Sequence, residues 1–187
     1  MKEREKATVT AAPDVRIRVF DSFDGLEPAW RTLEREGFAY AFQSWPWVTA
    51  WQEHVGERAG VVPFPVLIES AAGEPLLALP LGIRRAGRVK VLEWLGGVLS
   101  DYQAPLLREL PAALRSQEAF GALWRRVLDD LPSFDVIHFE RQPATIGPLE
   151  NPFLFPGSTL HPSRAHSTGL AGTLDDFLEA KRSASWR

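Results

Sequence analysis

The spacing of hydrophobic positions along this chain changes several times, and each change marks an element. Val15-Arg-Ile-Arg-Val-Phe20 alternates apolar and basic residues, the period of a half-exposed strand. From Asp24 or Gly25 the period lengthens. Leu26, Ala29, Trp30 and Leu33 fall on one helical face, Pro28 stands in the first turn and Gly37 closes the segment. A second helix starts within Phe42-Gln-Ser-Trp-Pro-Trp47, with Ser44 as N-cap and Pro46 near the first turn. Its stripe is Trp47, Val48, Trp51 and Val55, and Gly56 is its stop. This spacing predicts that Trp47 and Trp51 are core residues and leaves Trp45, off the stripe, available to a ligand.

After a loop carrying Pro63 and Pro65, three antiparallel strands are predicted at 66–69, 76–83 and 89–94. The turns between them are Ala72-Gly73-Glu74 and Arg85-Ala-Gly-Arg88, and Pro80 demands a bulge or an edge position. Leu95-Gly-Gly97 ends the third strand. Pro111 opens a long helix with Leu114, Phe120, Leu123, Trp124, Val127 and Leu128 on its buried face. Residues 134–140 then read as a β-branched central strand, and 141–166 as a proline-rich irregular connection with room for one strand. Thr173 caps a last helix, with Asp175 and Asp176 in its first turn and Leu174, Phe177 and Leu178 on an apolar stripe. The order β–α–α–β–β–β–α–β–α predicts an α/β fold with a mixed, largely antiparallel sheet flanked by helices. The charged, then Thr/Ala/Pro-rich residues 1–14 read as a disordered tail ahead of a single domain over 15–168.

Composition narrows the function classes. The 187 residues are 45% hydrophobic and 24% charged, ordinary for one globular domain, and the net charge of −3 offers no footprint for nucleic acid. With no cysteine, disulfides, thiolate metal sites and a cysteine nucleophile are excluded. No apolar run is long enough for a membrane span and no signal peptide is visible, which favours a cytoplasmic setting.

Few constellations carry chemistry. His54, His138, His161 and His166 show no metal-ligand spacing, and His161 and His166 share with Ser163 and Arg164 only a faint phosphate-contact pattern. His138 and Glu140 fall on one strand face, where a carboxylate orienting an imidazole can move protons; a plain surface ion pair explains the same spacing. Ser100-Asp101-Tyr102 stands where a strand ends, a common place for ligand contacts, although an Asx-turn accounts for Asp101 equally well. Glycine-rich nucleotide loops, the nucleophile-elbow motif and HExxH are absent. So is the Arg/Gln-x-x-Gly-x-Gly/Ala turn that holds an acyl-CoA pyrophosphate at a helix start.

Four segments in order carry a resemblance: Phe42-Gln43-Ser44 with Trp47 and Trp51, Ala78 to Leu81, Leu95-Gly96 with Asp101-Tyr102, and the helix from Leu174 to Arg182. Together they resemble the CelD/BcsL-like family of GNAT-type acetyltransferases linked to cellulose and exopolysaccharide biosynthesis, over residues 15 to 187. The resemblance implies a GNAT-like fold and an N- or O-acyltransferase that uses acetyl-CoA or another acyl-CoA as co-substrate, without a metal, on a small sugar or amine acceptor. It also implies that these residues are the N-terminal half, with 169–187 beginning a linking helix to an acetyltransferase half, so that this half alone is a poor catalyst. Under that reading His138/Glu140 or Trp45, Asp101 and Tyr102 face the acceptor. The 173–187 helix then meets the other half or a second copy. The alternative is a non-catalytic, degenerate GNAT-like module that binds a ligand or partner.

Overall fold

The computed structural model describes residues 14–155, 158–161 and 172–184. Nearly all of the expected N-terminal tail, together with Ser163, Arg164 and His166, lies outside them. The expected α/β architecture is present, with mixed and largely antiparallel sheets flanked by helices.

One long hairpin organises it. Strands β2 (Val61–Pro63) and β3 (Val66–Ser70) run back along β5 (Leu81–Ala86) and β4 (Pro75–Leu79). The register is continuous across the gap: Val62 faces Ile83, Pro63 faces Gly82, and beyond it Val66 faces Leu79, with a shift only later, between Ile68 and Glu69. Pro65 and Pro80 therefore stand opposite each other at the gap, where neither can donate to the ladder, and the ribbon passes there from one sheet into another. Alone, Pro80 would force a bulge or an edge; opposite a second proline, it joins two sheets.

The first sheet has the order β1-β3-β4-β7, with β1 (Val15–Val19) and β7 (Leu106–Leu107) antiparallel to their neighbours. The second has the order β2-β5-β6-β8, in which β6 (Val89–Trp94) is antiparallel to β5 and parallel to β8 (Val136–His138). A small hairpin of β9 (Thr145–Ile146) and β10 (Leu149–Glu150) occupies the proline-rich connection. Strand β8 is thus an edge strand, exposed along its length, although its β-branched residues suggest a central one. Composition gives the pleat; neighbours decide the position.

Alternation along the strands makes two cores. Val66, Ile68, Leu77, Leu79, Leu81, Ile83, Leu92 and Trp94 face α3 (Gln117–Asp130), which buries Phe120, Leu123, Trp124 and Val127 against them. On the opposite face of the first sheet, Leu67, Ala78 and Leu106 meet Trp30 and Leu33 of α1 (Glu27–Glu36) and Val48 of α2 (Trp45–Trp51). Ser116 caps α3 by accepting from the Ala119 N–H. The helix starts there, after a separate short turn at Ala112–Leu114, and not at Pro111.

α2 departs from its predicted face. It continues into a π-helical turn, Gln52–Gly56, and the extra residue per turn rotates the side chains beyond Trp51. Val48, Trp51 and Gln52 are buried, Val55 is exposed and Trp47 is half-buried. Ser44 occupies the N-cap without a side-chain bond to the helix; its hydroxyl donates to the Ala41 carbonyl, and the Glu34 carboxylate accepts the Trp45 N–H instead.

α4 (Leu174–Ala184) carries a reciprocal capping box: Thr173 N–H and hydroxyl donate to Asp176, and Asp176 N–H donates back to the Thr173 oxygen. The Thr173 backbone N–H, and then its hydroxyl, hold the Asp176 carboxyl below its ordinary value. A depressed carboxyl stabilises the helix above its unfolded value, near pH 4, and that contribution disappears as pH falls through the folded value. Protection factors of the α4 amides, taken against the intrinsic exchange rate at each pH, should accordingly stay constant from neutrality down to about pH 5 and fall below about pH 4. In Asp176→Asn that pH dependence should be absent.

Candidate functional site

The residues singled out by sequence gather where the two sheets part. β6 follows β5 up to Trp94, and Leu95 still donates to the Pro80 carbonyl at 2.8 Å. The chain then leaves the second sheet and next pairs at Leu106, with Ala78 of β4 in the first. Between them lies an excursion made possible by Gly96 (φ 113°) and Gly97 (φ 49°), followed by a short turn over Gly97–Leu99.

Four polar side chains fix this excursion. Gln43, almost fully buried, donates from its amide to the Tyr102 carbonyl at 2.8 Å and accepts the Tyr40 N–H at 3.2 Å. Its backbone carbonyl receives the Trp30 indole N–H at 2.9 Å, which ties the excursion to α1. Ser100, also buried, accepts the Trp47 indole N–H at 3.2 Å, and Gln103 donates to the Gly97 carbonyl at 2.9 Å. From the far side Arg141, left-handed at φ 52°, donates to the carbonyls of Val98 and Ser100, while its own carbonyl accepts the Gln103 N–H. Each of these buried amides and hydroxyls has a partner, so the loop is rigid.

Aromatic rings line the same junction. Tyr40 and Tyr102 stack with centroids 4.5 Å apart, and Phe42 meets Tyr102 at 6.5 Å and Trp47 edge-on at 5.3 Å. Burial, and secondarily the Tyr102 phenol, push the Tyr40 hydroxyl above its ordinary value. It therefore stays protonated and donates to the Thr145 carbonyl at 2.8 Å. Beside Tyr40 opens a groove of about 340 Å³, bordered by Glu34, Phe38, Ser44 and Gly147. It presents an aromatic wall, the Glu34 carboxylate, which already accepts from Arg31 and the Trp45 N–H, and the Ser44 hydroxyl, which donates to the Ala41 carbonyl; the acceptor lone pairs left over suit a small polyol or amine.

The individual candidates separate. Tyr102 is half-buried in the stack and Asp101 beside it is exposed, and neither borders the groove. Trp45 instead packs edge-on against Phe23 at 5.6 Å and Trp30 at 5.9 Å, as part of the core beneath. Phe23 and Trp30 draw it inward. His138 and Glu140 are exposed and no hydrogen bond or ion pair joins them. β8 ends at His138, so the alternation expected to align the two stops short of Glu140, whose nearest cation is Arg141 at 3.8 Å. Periodicity could not single out Gln43, Ser100, Gln103 and Arg141 as the organisers. Their one legible signal is polar residues set directly among aromatic and glycine positions.

Among the described residues no group of three or more His, Asp or Glu is placed to hold a metal ion. Nor do they fit an acyl-CoA. The start of α3 is closed by its own Ser116 and bears Glu118 in the first turn, both unfavourable to a pyrophosphate. The glycines after β6 lead into a short turn instead of a helix. Just past the end of the β6–β8 pairing, Trp94 stacks on Phe139 at 4.7 Å, with Phe153 edge-on at 5.1 Å. No protein-family model, curated protein or solved structure matches the chain.

Proposed function

We propose that this chain is the acceptor-binding portion of a GNAT-type acyl-CoA-dependent N- or O-acyltransferase linked to cellulose or exopolysaccharide biosynthesis. One observation carries the reading. Three segments far apart in sequence on which the resemblance rests pack together: Gln43 holds Tyr102, Trp47 holds Ser100, and Leu95 is bonded to Pro80 within the Ala78–Leu81 stretch. What they build is a rigid aromatic junction beside a groove with acceptor chemistry. In this reading the groove orients a sugar or amine acceptor, and orientation is the part of the catalysis these residues supply. The acyl-CoA is held by residues other than those described.

A second reading, a non-catalytic GNAT-like binding module, is favoured by the poor fit of the described residues to acyl-CoA. Tryptophan fluorescence titrations with cello-oligosaccharides and with polyamines test the acceptor site. One class should bind saturably, and Phe38→Ala, which strips the exposed wall of the groove, should weaken it about tenfold. Binding of neither class would end the acceptor proposal. Measurable acyl transfer to the bound class would exclude the module, whereas binding without transfer is expected of both readings, because neither places the acyl-CoA on the described residues.

A further inference from the structure

The face of the second sheet that packs on α3 runs on past the end of the helix. α3 stops at Asp130, and the chain leaves it through Pro132 and Ser133. On β5, Ile83 still belongs to the α3 core, and alternation puts Arg85, two residues on, on the same face but exposed. A cavity of about 220 Å³ opens there, floored by Val62, Phe64 and Ile83 and walled by Pro132. Val62 pairs with Ile83 across the β2–β5 ladder, yet it is 51% exposed. The fold thus leaves an apolar floor uncovered inside a concave site.

Two cations stand over that floor. Arg85 and Lys90 are direct cross-strand partners, and both line the cavity. Lys90 directs its backbone N–H to the Asp135 carboxylate and its carbonyl to the Asp135 N–H. It therefore makes no ladder bond with Arg85, the kind of pair whose side chains approach most closely. Like charges placed directly opposite destabilise a ladder unless something neutralises them. Arg84, on the other face of the same hairpin, has Glu93 at 2.9 Å. Among the described residues neither the Arg85 guanidinium nor the Lys90 ammonium has a carboxylate within 4 Å; Lys90 donates to the Ser133 hydroxyl oxygen at 3.0 Å. No carboxylate lines the cavity. Its polar side chains are the Arg85 fork, the Lys90 ammonium and the Ser133 hydroxyl, whose oxygen already accepts and whose proton is left to donate. Three donors converging above an apolar floor are the complement of an oxyanion carried on an apolar body.

We propose that this cavity binds a small organic anion, its carboxylate or phosphate held by Arg85, Lys90 and Ser133 and its apolar body laid on Val62, Phe64 and Ile83. The site is separate from the acceptor groove and independent of the acyltransferase reading. Amide-resolved NMR titrations of the labelled full chain test it, with phenylacetate, phenyl phosphate, inorganic phosphate and benzyl alcohol as probes. One of the two aromatic anions should shift the Val62, Phe64, Lys90 and Ser133 amides saturably, with a dissociation constant of about 1 mM or tighter, and the tighter of the two identifies the head group. Arg85→Gln and Val62→Ser should each weaken that anion about fivefold or more, with unchanged far-ultraviolet circular dichroism. Without ligand, Arg85→Gln should melt no lower than the wild type, since it removes one of two facing cations. A lower melting temperature would make Arg85 a partner of the carbonyl end of α3 and overturn its assignment to the site. Inorganic phosphate binding as tightly as the aromatic anions would reduce the site to a basic patch, and benzyl alcohol binding as tightly would remove the anion from it. Either result overturns the proposal, and so does the absence of saturable shifts with both aromatic anions.

Discussion

Phe153→Ala should cost about 3–5 kcal/mol in urea unfolding, the range of a large aromatic removed from a core without room to collapse. Phe153 is 1% exposed, and three rings meet it edge-on at 5.1 Å: Trp94 from β6 and Phe120 and Trp124 from α3. Phe139 and Phe155 complete the ring of neighbours at 6.0 and 6.1 Å. Removing it opens a cavity bounded by rigid indoles held on two different elements, so little of the void can close. Asn151 aims it, accepting the Phe153 N–H on its side chain and donating to the Pro143 carbonyl. Against a total stability of roughly 5–15 kcal/mol for a domain of this kind, the loss is a large fraction of the whole. Phe155→Ala, at a half-buried position on the rim, should cost clearly less. A Phe153→Ala loss below about 1 kcal/mol would mean that the cluster closes over the gap and that Phe153 is not its centre.

Phe153 also shows where legibility ends. It sits in the proline-rich stretch that has no period, yet it is the centre of the larger core. Trp30 and Leu33 of α1, and Phe120, Leu123, Trp124 and Val127 of α3, were readable because a helix repeats its buried face every three or four residues. The hairpins of β3 with β4 and β5 with β6 were readable from turn glycines between apolar runs. β2 was not, since three residues ending in Pro63 look like a loop until their pairing with β5 is seen. The inward packing of Trp45 depends on Phe23 and Trp30, and the exposure of Val55 on a π-turn; no local spacing announces either. At the site, the Gly96-Gly97 pair marks where the chain leaves the strand ahead of Asp101 and Tyr102. The bonds that hold the loop escaped because they join residues far apart: Gln43 reaches Tyr102 across 59 positions and Trp47 reaches Ser100 across 53. Such contacts repeat nothing and leave no pattern.

Gly96→Ala should be the most damaging small substitution in the loop, at about 2–5 kcal/mol. Two effects add. At φ 113° an L-residue is strained by about 1–2 kcal/mol. A methyl at Gly96 would also lie 2.0 Å from the Ser100 hydroxyl oxygen and 2.9 Å from its Cβ, and overpacking of that kind costs about 1–3 kcal/mol. Ser100 is fully buried and already holds the Trp47 indole, so it cannot swing away without breaking that bond. Gly97→Ala separates the two effects. Gly97 sits at φ 49°, and its added methyl would meet only Trp51, at an ordinary 3.4 Å. It should therefore cost about 1 kcal/mol, from backbone strain alone. The double variant Gly96→Ala/Ser100→Gly removes the collision and keeps the strain. It should be more stable than the sum of its single losses predicts, with a coupling of about 0.5–3 kcal/mol. Thermal melts of the four variants against the wild type decide the point: equal losses at Gly96 and Gly97, or strict additivity in the cycle, would assign the whole effect to φ. The contact between Gly96 and Ser100 would then be no constraint on the loop that carries Asp101 and Tyr102.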